Sequence, residues 1–98
     1  MDILKTKNEN SLTLALTGRL DTVTAPELEA ELASSLDGVD ELVLDFAALD
    51  YISSAGLRVL LAAQKRMNTQ GAMKVTNINA DIREVFEITG FCDILTIE

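Results

Sequence analysis

The stretch Glu41 to Phe46, "ELVLDF", sets three consecutive apolar residues, Leu42, Val43 and Leu44, between two longer segments whose apolar residues recur at helical spacing. A short unbroken apolar run reads as a strand covered on both faces, and helical stretches before and after it read as crossovers to neighbouring parallel strands. That succession restricts the chain to a layered αβ domain with right-handed connections. The strand at 41–46 is expected at the centre of the sheet.

The remaining segments fit around it. Residues 3–7 and 11–17 read as two strands of a hairpin joined across Asn8-Glu9-Asn10, the second alternating Leu12, Leu14 and Leu16 with Thr13, Ala15 and Thr17. Thr24-Ala25-Pro26-Glu27 combines a hydroxyl at the cap position, an early proline and a glutamate at the third helical position, so a helix capped by a capping box is predicted from Ala25. Leu28, Leu32 and Leu36 form its inner stripe, Glu27, Glu29 and Glu31 its wet side, and Asp37-Gly38 its stop. A second helix follows the "AALDYISS" connection, with Leu57, Leu60, Leu61 and Met67 on one stripe and Gln70-Gly71 at its end. Met73 to Asn77 reads as a strand, Asn79 as the cap of a third helix with Ile82, Val85 and Phe86 inward and Gly90 as terminator, and Asp93 to Ile97 as a last strand. The predicted fold is a single α/β domain over residues 1–98, complete as it stands, with a mixed sheet and the order ββαβαβαβ.

Several function classes recede on composition. With 98 residues, 16 acidic against 8 basic side chains and a net charge of −8, the chain lacks the basic footprint that phosphate backbones or anionic lipids require. No segment approaches the roughly 18 uncharged residues of a membrane span, and the N-terminus has no signal-peptide apolar stretch, so a cytoplasmic protein is expected. One cysteine, Cys92, allows neither an internal disulfide nor a cysteine-built zinc site and reads as a small buried hydrophobe. The absence of histidine removes the commonest general base and the usual partner of a nucleophilic serine. Asp21, Asp45 and Asp50 carry carboxylates that suit hard cations, but nothing in their spacing demands a metal. No enzyme activity, cofactor or metal site is expected.

One short motif stands out. In "DYISSAG", taking Ser53 as N-cap puts Ile52 at N′ and Leu57 at N4, the spacing of a hydrophobic staple, whereas Ser54 as cap would put Arg58 at N4 and form none. Ser53 is therefore the cap, and Ser54 the first helical residue with its hydroxyl free. A phosphoryl group on Ser54 would lie among unpaired N–H groups where the helix dipole favours negative charge, and a partner packed over that turn would meet about 1.5 to 2 new negative charges. Gly56, without a side chain, either lets another backbone approach close to the serine or simply allows tight packing of the helix start.

The segment "LVLDFAALDYISSAGLRVLLAA", preceded by "LTGRLDTVTAPELEAEL" and followed by "MKVTNINADIREVFEITGFCDILTIE", resembles the STAS-domain anti-sigma factor antagonists of bacteria over nearly the whole chain. The resemblance implies a small αβ protein that binds an anti-sigma factor acting also as a serine kinase, so releasing a sigma factor. The kinase ends the complex by phosphorylating the antagonist, and a PP2C-type phosphatase restores it. The family's phosphoacceptor is the first hydroxyl residue of an Asp-Ser-Ser/Thr-Gly-Leu pattern, and Gly56-Leu57 places it at Ser54. Ser53 stands where aspartate is usual, and Ala55 replaces the second hydroxyl. Asp21 and Thr22, in the matching "GRLD" stretch, are implied at the partner surface with Ser53, Ser54 and Gly56. The protein is expected as a monomer or weak dimer. The other role consistent with the resemblance is a non-switching STAS scaffold within a larger signalling assembly.

Overall fold

The computed structural model describes all residues from Met1 to Glu98. Strand β1 (Asp2–Asn8) folds back on β2 (Ser11–Leu20), helix α1 (Ala25–Ser35) leads to β3 (Glu41–Ile52), α2 (Ser54–Met67) to β4 (Ala72–Thr76), and α3 (Ala80–Thr89) ends in a 3-10 turn at Phe91–Asp93. The sheet runs in the order β1-β2-β3-β4, antiparallel at the hairpin and parallel thereafter, with β3 inside it as expected. A mixed α/β sheet with helical crossovers is the fold the sequence implied.

Three expectations about the strands need correction. First, β3 is not covered on both faces. Leu42, Leu44 and Phe46 are fully buried while Glu41, Val43 and Asp45 are only half-buried, and β2 alternates in the same way. The reason is topological. Both parallel crossovers step across the sheet in the same direction, and connections of one hand then lay α1 and α2 on the same face. The domain is a two-layer sandwich, and its single core unites Leu12, Leu14, Leu16, Leu44, Phe46 and Val75 of the sheet with Leu28, Leu60 and Phe86 of the helices.

Second, β3 does not stop at Phe46; "AALDYI" is strand. Beyond Asp45 the buried residues are spaced by three, as Phe46, Leu49 and Ile52, which hides the two-residue period. Register explains it. Ala15 pairs with Asp45 but Thr17 with Ala48, and Gly18 pairs with Leu49 but Arg19 with Tyr51, so β3 carries one extra residue at each of two bulges. Side chains of the outer half are re-aimed as a result.

Third, the last strand shrinks to one parallel bridge between Val75 and Ile97. Gly90 takes the left-handed conformation at φ 80°, and the following 3-10 turn stacks Phe91 on Phe86 with ring centroids 6.4 Å apart, which uses up the chain that a longer strand would need. Cys92 is half-buried against the core rather than fully inside it.

Candidate functional site

The bulged ends of β2 and β3 leave the sheet side by side. Leu20 pairs with Ile52, and the Ser53 N–H donates to the Leu20 carbonyl at 2.9 Å, so the segment after β2 and the start of α2 share one edge of the molecule. Just inside that edge the Arg19 guanidinium lies 4.2 Å from the centroid of the Tyr51 ring, a cation–π contact across the two strands.

Ser53 is the N-cap of α2, with extended backbone and an Oγ that accepts from the Gly56 N–H at 3.4 Å. A serine cap is worth about 1 kcal/mol against alanine. Ile52 and Leu57, the staple pair, are both buried, and they fix the direction in which the chain enters the helix. Gly56 is buried too. A Cβ there would sit 2.8 Å from both Ile52 Cγ1 and Leu20 Cγ, so the close approach that glycine permits is inward, to the sheet. Ser54, first residue of α2, is exposed, and its hydroxyl has no hydrogen-bond partner in the chain.

The neighbouring loop 21–24 is held by its own side chains. Asp21 Oδ1 accepts from the N–H groups of Val23 and Thr24 at 3.0 and 3.1 Å, and the Asp21 N–H donates to Thr24 Oγ1 at 2.9 Å. The Thr24 hydroxyl donates to the Arg19 carbonyl at 2.7 Å. Thr24 therefore stands at the N-cap of α1 without capping it through its side chain, which corrects the capping-box expectation: its hydroxyl is taken by the loop. The Thr24 N–H, above all, holds the Asp21 carboxyl below its usual value, aided by the Val23 N–H, the Thr24 hydroxyl and the charge of Arg19, whose Nε lies 3.7 Å from Oδ2. Asp21 is thus a permanently ionised brace of the loop at neutral pH. Thr22 is exposed at its tip and shares a shallow hollow with Ala55 and Arg58.

Ser53, Ser54, Asp21 and Thr22 are accordingly brought to one edge, with Gly56 beneath them. Asp45 and Asp50 do not join them. Asp45 Oδ1 accepts from the Ala47 N–H and from Asn77 Nδ2, both at 3.0 Å, pinning the first bulge, and Asp50 contributes its carbonyl to Asn79 Nδ2 at the cap of α3. No group of three or more His, Cys, Asp or Glu side chains is gathered as metal ligands would be. Sequence reading passed over Val23, 81% exposed beside Asp21, and the half-exposed Tyr51. Its signal was available in part: an aromatic residue just before the serine pair and a β-branched residue beside the turn-forming Asp21.

A mixed four-stranded sheet with its helices packed on one face is the architecture of a STAS domain. The chain belongs to that family, whose model matches residues 2–98. It is 41% identical over 99% of its length, and 85% of the relative's, to BtrV of Bordetella bronchiseptica, named as a candidate anti-sigma factor antagonist. It is 29% identical to the anti-sigma-B factor antagonist of Bacillus subtilis, over 93% of this chain and 84% of that one. Among solved structures, the Bacillus anti-sigma factor antagonist SpoIIAA superposes with TM-scores of 0.78 unphosphorylated and 0.77 phosphorylated, at 16% and 17% identity. Those two cover 99% of this chain and 87% and 91% of theirs, a likeness of fold.

Proposed function

We propose that this protein is an anti-sigma factor antagonist that binds an anti-sigma factor acting also as a serine kinase, and that phosphorylation of Ser54 switches the binding off. The observation that carries the reading is Ser54 itself: exposed, first in α2, its hydroxyl unengaged, beside a loop that Asp21 keeps rigid. The names of BtrV and of the Bacillus subtilis relative support the partner class, and the two states of SpoIIAA support a phosphorylated form.

The chemistry is divided between partners. The kinase transfers the γ-phosphoryl group of ATP to Ser54 Oγ, the hydroxyl proton passes to a base of the kinase, and ADP leaves. A PP2C-type phosphatase reverses the state by hydrolysis: water adds to phosphorus, and inorganic phosphate leaves with the serine hydroxyl restored. This chain supplies the acceptor and the docking surface, acting in the cytoplasm without a cofactor, a metal or a catalytic group of its own. Asp21, Thr22, Ser53 and Ser54 form the contact, with Gly56 setting the height of the helix start. Because Ser53 caps as well as aspartate would, α2 keeps its start while the incoming phosphate meets one negative charge fewer.

The test is incubation with ATP, magnesium and the candidate anti-sigma kinase of the same organism, followed by peptide mass spectrometry and a binding assay. One phosphate on Ser54, binding retained by Ser54→Ala and lost by Ser54→Asp, is the expected result. No modified serine and equal binding by both variants would replace the switch with a constitutive interaction module.

A further inference from the structure

One turn beyond Ser54, at the i,i+4 position on the same face of α2, stands Arg58, also exposed. Long helical side chains lean toward the helix N-terminus and cover the preceding turn, so the Arg58 guanidinium is within reach of the residue that carries the free hydroxyl. Arg19, the cation of the neighbouring strand, is engaged with the Tyr51 ring and Asp21, and the other cations of α2, Lys65 and Arg66, stand in its last turn, far from Ser54. Arg58 forms no ion pair. It borders a hollow of about 230 Å³ between the first turns of α1 and α2, shared with Thr22 and Ala55.

The charged groups around that hollow are few. Glu29 on α1 is the one carboxylate lining it, Asp21 in the adjoining loop is already braced by two N–H groups, and position 53 carries a serine. We infer that Arg58 is the internal counter-ion of a phosphorylated Ser54: its guanidinium swings from the hollow onto the phosphoryl oxygens and holds them over the start of α2. The inference rests on Ser54 being the modified residue. Its consequence is that one modification changes the partner surface twice, by adding the phosphate and by withdrawing the Arg58 fork from the space beside Thr22. A guanidinium suits this role better than an ammonium, because its planar donors meet two phosphoryl oxygens at once.

The titration needs neither kinase nor partner. Phosphoserine is installed at position 54 of the full chain during biosynthesis, and the phosphorus resonance is titrated by 31P NMR in the parent, Arg58→Ala and Arg58→Lys proteins. A free phosphoserine loses its second proton near pH 6. The expected midpoint in the parent lies about half a unit below that of Arg58→Ala, which keeps only the contribution of the helix start, with Arg58→Lys between them and the differences erased in about 1 M salt. Coincident midpoints in the parent and Arg58→Ala would overturn the inference. Binding of the same phosphorylated parent to the anti-sigma kinase is scored separately: retained binding with a shifted midpoint sinks the switch and leaves the Arg58 pair standing, whereas lost binding with coincident midpoints does the opposite.

Discussion

The two halves of β3 are built differently. From Glu41 to Asp45 the strand alternates strictly, pairs with β2 on one side and β4 on the other, and buries Leu42 and Leu44 completely. From Phe46 to Ile52 only β2 accompanies it, two bulges interrupt the register, and the other flank is secured by single contacts such as Asn79 Nδ2 to the Leu49 carbonyl at 3.2 Å. The first half maximises ladder bonds, while both halves bury their inward side chains. The second gives up regularity and brings Tyr51, Ser53 and Ser54 beside the 21–24 loop. Stability and presentation are thereby assigned to different parts of one strand.

Substitutions should separate the halves, and the largest effect belongs to the regular one. Leu44→Ala removes a fully buried side chain from the middle of the core and is expected to cost about 3 kcal/mol in chemical unfolding. The hydroxyl of Ser54 should keep its environment in the protein that remains folded. A loss under about 1 kcal/mol would mean that the core can collapse around the gap, and the division of labour would fail there.

Gly56→Ala tests the presenting half. Its methyl group meets Ile52 and Leu20 at 2.8 Å, so α2 has to lift from the sheet, at about 2 kcal/mol. Chemical-shift changes should concentrate at residues 20–24 and 52–56 and leave 41–45 unmoved. An even spread of changes over both halves would show that β3 responds as one unit.

The smallest effect is that of pH on the loop. Because the folded Asp21 carboxyl titrates below its ordinary value of 3.8, the bracing it provides is complete above that pH and disappears as the pH falls through the lowered value. The amide resonances of Val23 and Thr24 should therefore move below pH 3.8 in the parent and not in Asp21→Asn, whose side-chain oxygen still accepts both bonds without titrating. A transition centred above 3.8 in the parent would contradict the lowered carboxyl.

Much of this architecture is local and therefore readable in the chain. Period, caps and stops lie within a few residues of one another, so the three helices, the hairpin, the central place of β3 and the cap role of Ser53 follow from the sequence by itself. Asn79 behaves the same way, its Oδ1 accepting from the Ile82 N–H at 2.8 Å. Tertiary structure alone decided what depends on partners distant in sequence. The bulges in β3 exist only relative to β2, and they turn a broken apolar period into strand. One sheet face stays uncovered because both crossovers go the same way, and Ser54 meets the 21–24 loop because Leu20 pairs with Ile52 across 32 residues of chain. Propensity acts between near neighbours, whereas register and layer are settled only when whole elements pack.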